Sequence, residues 1–133
     1  MGDGLLAIFT AEDRGRACDA ALTAALAARR GVALVNQRRA AKALPTTDMY
    51  LGLHIGDVFY GNIGSKERLD FTVVGPAVNE VSRIAAMCRS VDQPLLVSSA
   101  FASALGETRH SLVSVGRYAL RGVGRAQDLF TLE

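Results

Sequence analysis

The sequence contains no tryptophan, two cysteines and three prolines in 133 residues, and aromatic residues make up only 6% of it. Cys18 and Cys88 stand far apart, with no second Cys or His at metal-ligand spacing. That excludes a disulfide scaffold or a zinc module and predicts two buried free thiols in a reducing compartment. No apolar run approaches the length of a membrane span, and Met1 is not followed by a basic region and an apolar stretch. The expected location is therefore the cytoplasm, with no membrane segment. Charge of one sign is also lacking: the formal balance is only +2, and the arginines are scattered along the chain. A nucleic-acid partner is not expected, because a protein that tracks phosphates shows a denser basic face. Anionic small molecules remain compatible with the composition. What is present is a chain that is 50% hydrophobic and 21% charged, the balance of a soluble globular protein. With no internal repeat, low-complexity tract or boundary, residues 1–133 read as a single domain.

Met1-Gly-Asp-Gly passes into Leu5-Leu-Ala-Ile-Phe9, which reads as a turn feeding an apolar strand. A buried strand needs neighbours, and nothing precedes this turn, so the expectation is a domain truncated at its N-terminus. Glu12 to about Arg39 is rich in strong helix formers, with Ala17, Ala21, Leu22, Ala25, Leu26 and Arg29 along one packed face. Gly31 interrupts it, and the arginines towards its end suit the helix dipole. After a loop over residues 40–48, Tyr50 to Tyr60 reads as a strand bending at its glycines. Asn62 to Glu67 has turn chemistry, and Leu69 to Val74 completes a hairpin. Gly75-Pro76 opens a helix with Val78, Val81, Ile84, Ala85 and Cys88 on one face. Leu95 to Val97 is a short strand. Ser98 or Ser99 caps a brief helix through Leu105, and two strands follow over residues 111–120 and 127–132. Hairpins and helices with mostly antiparallel connections predict an α+β fold, a sheet covered by helices.

The stretch that carries chemistry runs from Leu53 to Arg83. A strand delivers Thr72 towards the start of a helix that displays Asn79 and Arg83. Residues four apart share a helix face and can act on one ligand. A guanidinium fork suits phosphate oxygens, and an asparagine amide can donate to or accept from a sugar oxygen. A helix N-terminus nearby adds partial positive charge. Spacing alone makes Asn79 and Arg83 a weak signal, and Thr72 without its flanks is an ordinary β-branched strand residue.

The two segments Gly56-Asp-Val-Phe-Tyr-Gly-Asn-Ile-Gly64 and Asp70-Phe-Thr-Val-Val-Gly-Pro-Ala-Val-Asn-Glu-Val-Ser-Arg83 together resemble the C-terminal signature of class III nucleotidyl cyclases. Weaker similarity covers the rest. Gly2-Asp3-Gly-Leu-Leu resembles the family's second metal-site hairpin, and Leu120-Arg-Gly-Val-Gly124 its phosphate-contacting turn. The resemblance implies a ferredoxin-like, palm-like cyclase domain. It implies that Asp3 is one of two aspartates holding a pair of divalent ions (Mg²⁺ or Mn²⁺), that Thr72 reads the purine and that Asn79 orients the ribose. Arg83 would stabilise charge on the transferred phosphoryl group, and Arg121 would contact the terminal phosphates. Asp3 alone is equally an ordinary Gly-Asp-Gly turn residue. His54 reads as a packed strand residue, His110 as a surface residue, Asp57 as structural, and Arg125 as either a turn charge or a contact.

The implied substrate is ATP in preference to GTP, from Thr72, and the products are cyclic AMP and pyrophosphate. The implied assembly is a homodimer whose sites lie across the interface, Asp3 on one wall and Thr72, Asn79 and Arg83 on the partner's. Two elements of the pattern are missing from the sequence: the first metal-binding aspartate, and the purine-reading lysine expected four residues ahead of Asp3. One carboxylate holds a metal pair poorly, so the expectation is an incomplete metal site and weak or no activity for the chain as written. The alternative from another class is a non-catalytic cyclase-homology module that binds nucleotide or dimerises; a guanylate cyclase is the alternative within the enzymes.

Overall fold

The computed structural model describes residues 4–65, 68–106, 111–120 and 124–132, with the backbone alone between 60 and 73. In chain order the elements are α1 (Arg14–Ala41), β1 (Leu51–Leu53), β2 (Phe59–Ser65), β3 (Arg68–Val74), α2 (Pro76–Ser90), β4 (Leu95–Ser98), α3 (Ser99–Ala104), β5 (Leu112–Ala119) and β6 (Ala126–Leu132). The expected α+β architecture is the one observed. Four strands form a sheet in the order β1-β4-β6-β5, parallel between β1 and β4 and antiparallel elsewhere. β2 and β3 form a separate antiparallel hairpin, in which Gly61 opposes Thr72.

The helix α1 starts where Asp13 caps it, its carboxylate accepting from the Gly15 and Arg16 amides. Its buried residues Cys18, Leu22 and Ala25 fall on the face that the spacing predicts. Gly31 does not interrupt it, because the helix is exposed there and a side chain would meet nothing.

Side-chain alternation along β4 explains the layering. All four of its residues are buried, a pattern that requires cover on both faces. Leu95 and Val97 pack with Cys18, Leu22 and Ala25 of α1 and with Phe101, Ala102 and Leu105 of the α3 segment. Leu96 points the other way and packs with Ile84 and Cys88 of α2, Leu120 and Leu129. The sheet thus lies between α1 with α3 on one side and α2 on the other.

Asn62 to Ser65, expected in a turn, are instead paired strand residues of β2 opposite Arg68 to Phe71, because their backbones complete the hairpin ladder. Two other expectations change. Residues 50–60 do not form one strand: β1 stops at Leu53, and the chain resumes as β2 at Phe59 in a different sheet. The glycines there serve helix packing. A Cβ on Gly52 would lie 2.8 Å from the Ala85 amide nitrogen, and one on Gly56 would lie 2.7 Å from the Ala77 Cβ. The second change is at Leu5 to Phe9, which is irregular and exposed, with Leu5 at 90%. An apolar run becomes a strand only where a neighbouring strand takes its backbone hydrogen bonds, and among the described residues no strand pairs with it.

Candidate functional site

The hairpin strand β3 ends at Val74 and passes into α2 through Gly75 alone. Gly75 has φ 143°, where only glycine is at ease, and a Cβ on it would meet the Asp57 carbonyl oxygen at 3.0 Å. Pro76 then begins the helix, where its missing N–H costs nothing. This junction places Thr72 two residues before the end of β3 and brings Asn79 and Arg83 into the first two turns of α2. Ala77, Ile84 and Cys88 are the buried residues of α2, while Asn79 and Arg83 are both exposed on the opposite side. Their four-residue spacing leaves them neighbours on one solvent-facing strip, as the sequence implies.

Of the remaining expected site residues, Thr72 is placed in β3 with its side chain outside the described residues. Asp3 and Arg121 also lie outside them. The structure therefore brings together Asn79 and Arg83 and sets Thr72 on the strand that feeds their helix. Among the described residues no group of three or more His, Cys, Asp or Glu side chains gathers in a way that would hold a metal ion.

A polar cluster next to this strip was not visible in the sequence. His54, just beyond β1, is packed as expected, with its side chain only 7% exposed, but it is also fully engaged. Its Nδ1 lies 2.8 Å from the Ser98 Oγ, and its Nε2 lies 2.8 Å from the Glu80 carboxylate on α2. Ser98 is completely buried and caps α3 by accepting from the Phe101 amide at 3.1 Å. Its own O–H is therefore available to His54 Nδ1, which leaves the ring N–H on Nε2 to donate to Glu80. This neutral tautomer uses every donor. Burial, opposed by the Glu80 carboxylate, pushes the His54 pKa below its ordinary value. The only sequence signal was alternation: His54 shares the parity of Gly52, which faces α2.

Beside the cluster an open groove is lined by His54, Glu80, Ser99, Arg117, Arg125 and Asp128, among others. Arg117 and Asp128 oppose each other across β5 and β6, with Nε 3.7 Å from the carboxylate oxygen and both side chains well exposed. Such a pair contributes little to stability. Both cysteines are free and buried as expected. Burial pushes both thiols up, with Asp19 adding to the effect at Cys18.

With this geometry in hand, the chain is similar over nearly its whole length to solved cyclases. It superimposes on the guanylyl cyclase Cya2 with a TM-score of 0.79, covering 99% of this chain and 66% of that one at 26% identity. On the adenylyl cyclase CyaB from P. aeruginosa the TM-score is 0.76, covering 93% and 62% at 20% identity. Among curated proteins it is 38% identical over 129 residues to an uncharacterized protein of Mycobacterium tuberculosis (strain CDC 1551 / Oshkosh), 96% of this chain and 22% of that protein. An uncharacterized protein of Mycobacterium bovis is 38% identical over 122 residues, 91% of this chain and 22% of that protein. The chain spans about a fifth of the length of these curated relatives. No protein-family model matches it. The fold is the palm-like α+β fold that these cyclases share.

Proposed function

We propose that this domain belongs to a nucleotide cyclase that converts ATP, in preference to GTP, into the 3′,5′-cyclic monophosphate and pyrophosphate. The observation that carries this reading is the pair Asn79 and Arg83, side by side on the exposed face of α2, within a fold shared with Cya2 and CyaB. In the reaction the ribose 3′-hydroxyl attacks the α-phosphorus and the bond to the β-phosphate bridging oxygen breaks. The hydroxyl proton is lost and pyrophosphate departs. Arg83, with its planar array of donors, stabilises the charge that develops on the α-phosphoryl oxygens. Asn79, one turn earlier, holds the ribose so that the hydroxyl is aligned with the departing group. Thr72 reads the purine from β3, and Arg121 contacts the terminal phosphates. The working assembly is a homodimer, in which Thr72, Asn79 and Arg83 form one wall of each site and the partner completes it.

The test is cyclic-nucleotide formation from ATP and from GTP in the presence of Mg²⁺ or Mn²⁺, with nucleotide binding measured in parallel. Cyclic AMP exceeding cyclic GMP is the expected result. Saturable nucleotide binding with no product would instead identify a non-catalytic binding module, and an excess of cyclic GMP would reverse the substrate preference.

A further inference from the structure

The helix α2 has its buried and its exposed faces set by the 100° advance per residue of an α-helix. Ala77, Ile84 and Cys88 face the sheet, and Asn79 and Arg83 face away. Glu80 stands on the shoulder between them, about 40° round from Ile84 and about 60° from Arg83. Two of the contacts that seat α2 are made by small groups, Ala77 against Gly56 and the backbone at Val81 and Ala85 against Gly52, while Ile84 and Cys88 anchor its second half among Leu96, Leu120 and Leu129. Contacts between such small surfaces hold a helix close to a sheet and resist its rolling only weakly. At the N-terminus of α2, Gly75 caps the helix without a side-chain hydrogen bond. At the far end the Arg89 guanidinium lies over the Tyr50 ring at 5.1 Å. Ser82 bonds only within the helix, its Oγ donating to the Val78 carbonyl, and the Cys88 thiol reaches the Leu51 carbonyl two turns further on. Among the described residues, the bond that ties α2 to the sheet beside Asn79 and Arg83 is Glu80 to His54, whose other nitrogen is fixed by the wholly buried Ser98 at the end of β4.

We propose that Glu80 and His54 are positioning residues: the chain of hydrogen bonds Glu80–His54–Ser98 locks the roll of α2 about its axis and so sets the aim of Asn79 and Arg83. Its catalytic consequence rests on the cyclase reading above; its structural content does not. Ser98 from β4 and Glu80 from α2 hold the two ring nitrogens, and the charged groups lining the groove beside them are Arg117, Arg125 and Asp128 of the β5–β6 hairpin. Among the described residues the partner of Arg117 is Asp128, not the ring. Glu80 needs only an acceptor oxygen for this role, not a negative charge. A glutamine there retains the bond from the Nε2–H, whereas an alanine removes it.

The experiment compares Glu80→Ala with Glu80→Gln in the full chain. For Glu80→Ala, kcat is expected to fall on the order of tenfold or more with KM changed less than about twofold, because a misaimed transition-state contact costs rate more than affinity. Glu80→Gln is expected to stay within about threefold of the parent. A second readout does not depend on turnover. In ¹⁵N spectra the His54 ring should show a protonated Nε2 and an accepting Nδ1. The Arg83 Nε–H and Asn79 amide signals should move in Glu80→Ala and stay in place in Glu80→Gln. The proposal is overturned if Glu80→Ala leaves kcat and those signals unchanged, even where the melting temperature drops. It is equally overturned if Glu80→Gln is as damaging as Glu80→Ala, since the carboxylate would then act by its charge. Absence of cyclic nucleotide from a form that supplies both metal-holding aspartates would sink the cyclase reading, while the Arg83 and Asn79 signals, read in this chain, would still decide this one.

Discussion

Gly52 and Ala85 approach so closely that a Cβ on residue 52 would sit 2.8 Å from the Ala85 nitrogen and 3.0 Å from the Val81 carbonyl oxygen. Both of these are backbone atoms of α2 and cannot swing aside. Gly52→Ala should therefore push the helix off the sheet and destabilise the fold by about 1–3 kcal/mol. Urea denaturation of the variant and the parent measures this directly, and Gly31→Ala, where nothing lies nearby, should be neutral or slightly stabilising.

Arg83→Ala tests the proposed chemistry. The residue is exposed and makes no packing contact with the core, so the melting temperature should hardly change. Turnover should fall about a hundredfold or more with a small change in KM, the pattern of a contact made mainly in the transition state. A change confined to KM would contradict the assigned role.

Ser98→Ala removes two interactions at once. It takes the cap from α3 and the partner from His54 Nδ1, and Ser98 itself is fully buried. A loss of about 2–4 kcal/mol is expected, combining a lost cap with a buried ring nitrogen left unpaired. Chemical denaturation reads it, and a loss under about 0.5 kcal/mol would mean that water replaces the hydroxyl.

His54 also gives the fold a pH dependence whose sign is fixed. Its folded pKa lies below its ordinary value of 6.5, so the unfolded chain takes up the proton first as pH falls. The neutral, buried ring contributes stability that is fully present above 6.5 and is lost as pH drops from there towards the folded pKa. Denaturation midpoints of the parent should therefore decrease across that window, and His54→Gln should flatten the decrease. An unchanged slope in the variant would assign the effect to other groups.

Neither thiol should react with an alkylating reagent in the native state, because Cys18 and Cys88 are 2% and 0% exposed and burial holds both in the protonated form. Both should react fully in urea. Mass spectrometry with and without denaturant distinguishes the two states.

Local features were legible in the sequence, and non-local ones were not. The buried stripe of α1 and the face of α2 follow from 3.6-residue spacing. The β3 arm of the hairpin was readable from its β-branched residues, but Asn62 to Ser65, which look like a turn, are paired residues of β2. Nothing local could show that β1 and β2 belong to different sheets. Gly52 and Gly56 look like bends in one strand, and only the position of α2 reveals them as clearance for Ala85 and Ala77. Leu5 to Phe9 has the composition of a strand, and among the described residues no strand pairs with it. The His54 cluster draws on residues 54, 80 and 98, which pattern alone does not connect. Asn79 and Arg83 are the reverse case: their shared strip was readable from spacing, and the structure shows it exposed.

The strand β4 lies between β1 and β6, and Val97 is paired on both sides, with Leu53 and with Phe130. A backbone so enclosed has no partial opening by which deuterium can reach it. The Val97 amide should exchange only when the whole domain unfolds, so its exchange rate is a direct clock of global stability. Ser98 is the next residue along, which means that the chain of hydrogen bonds through His54 is moored to the part of the molecule that lets go last.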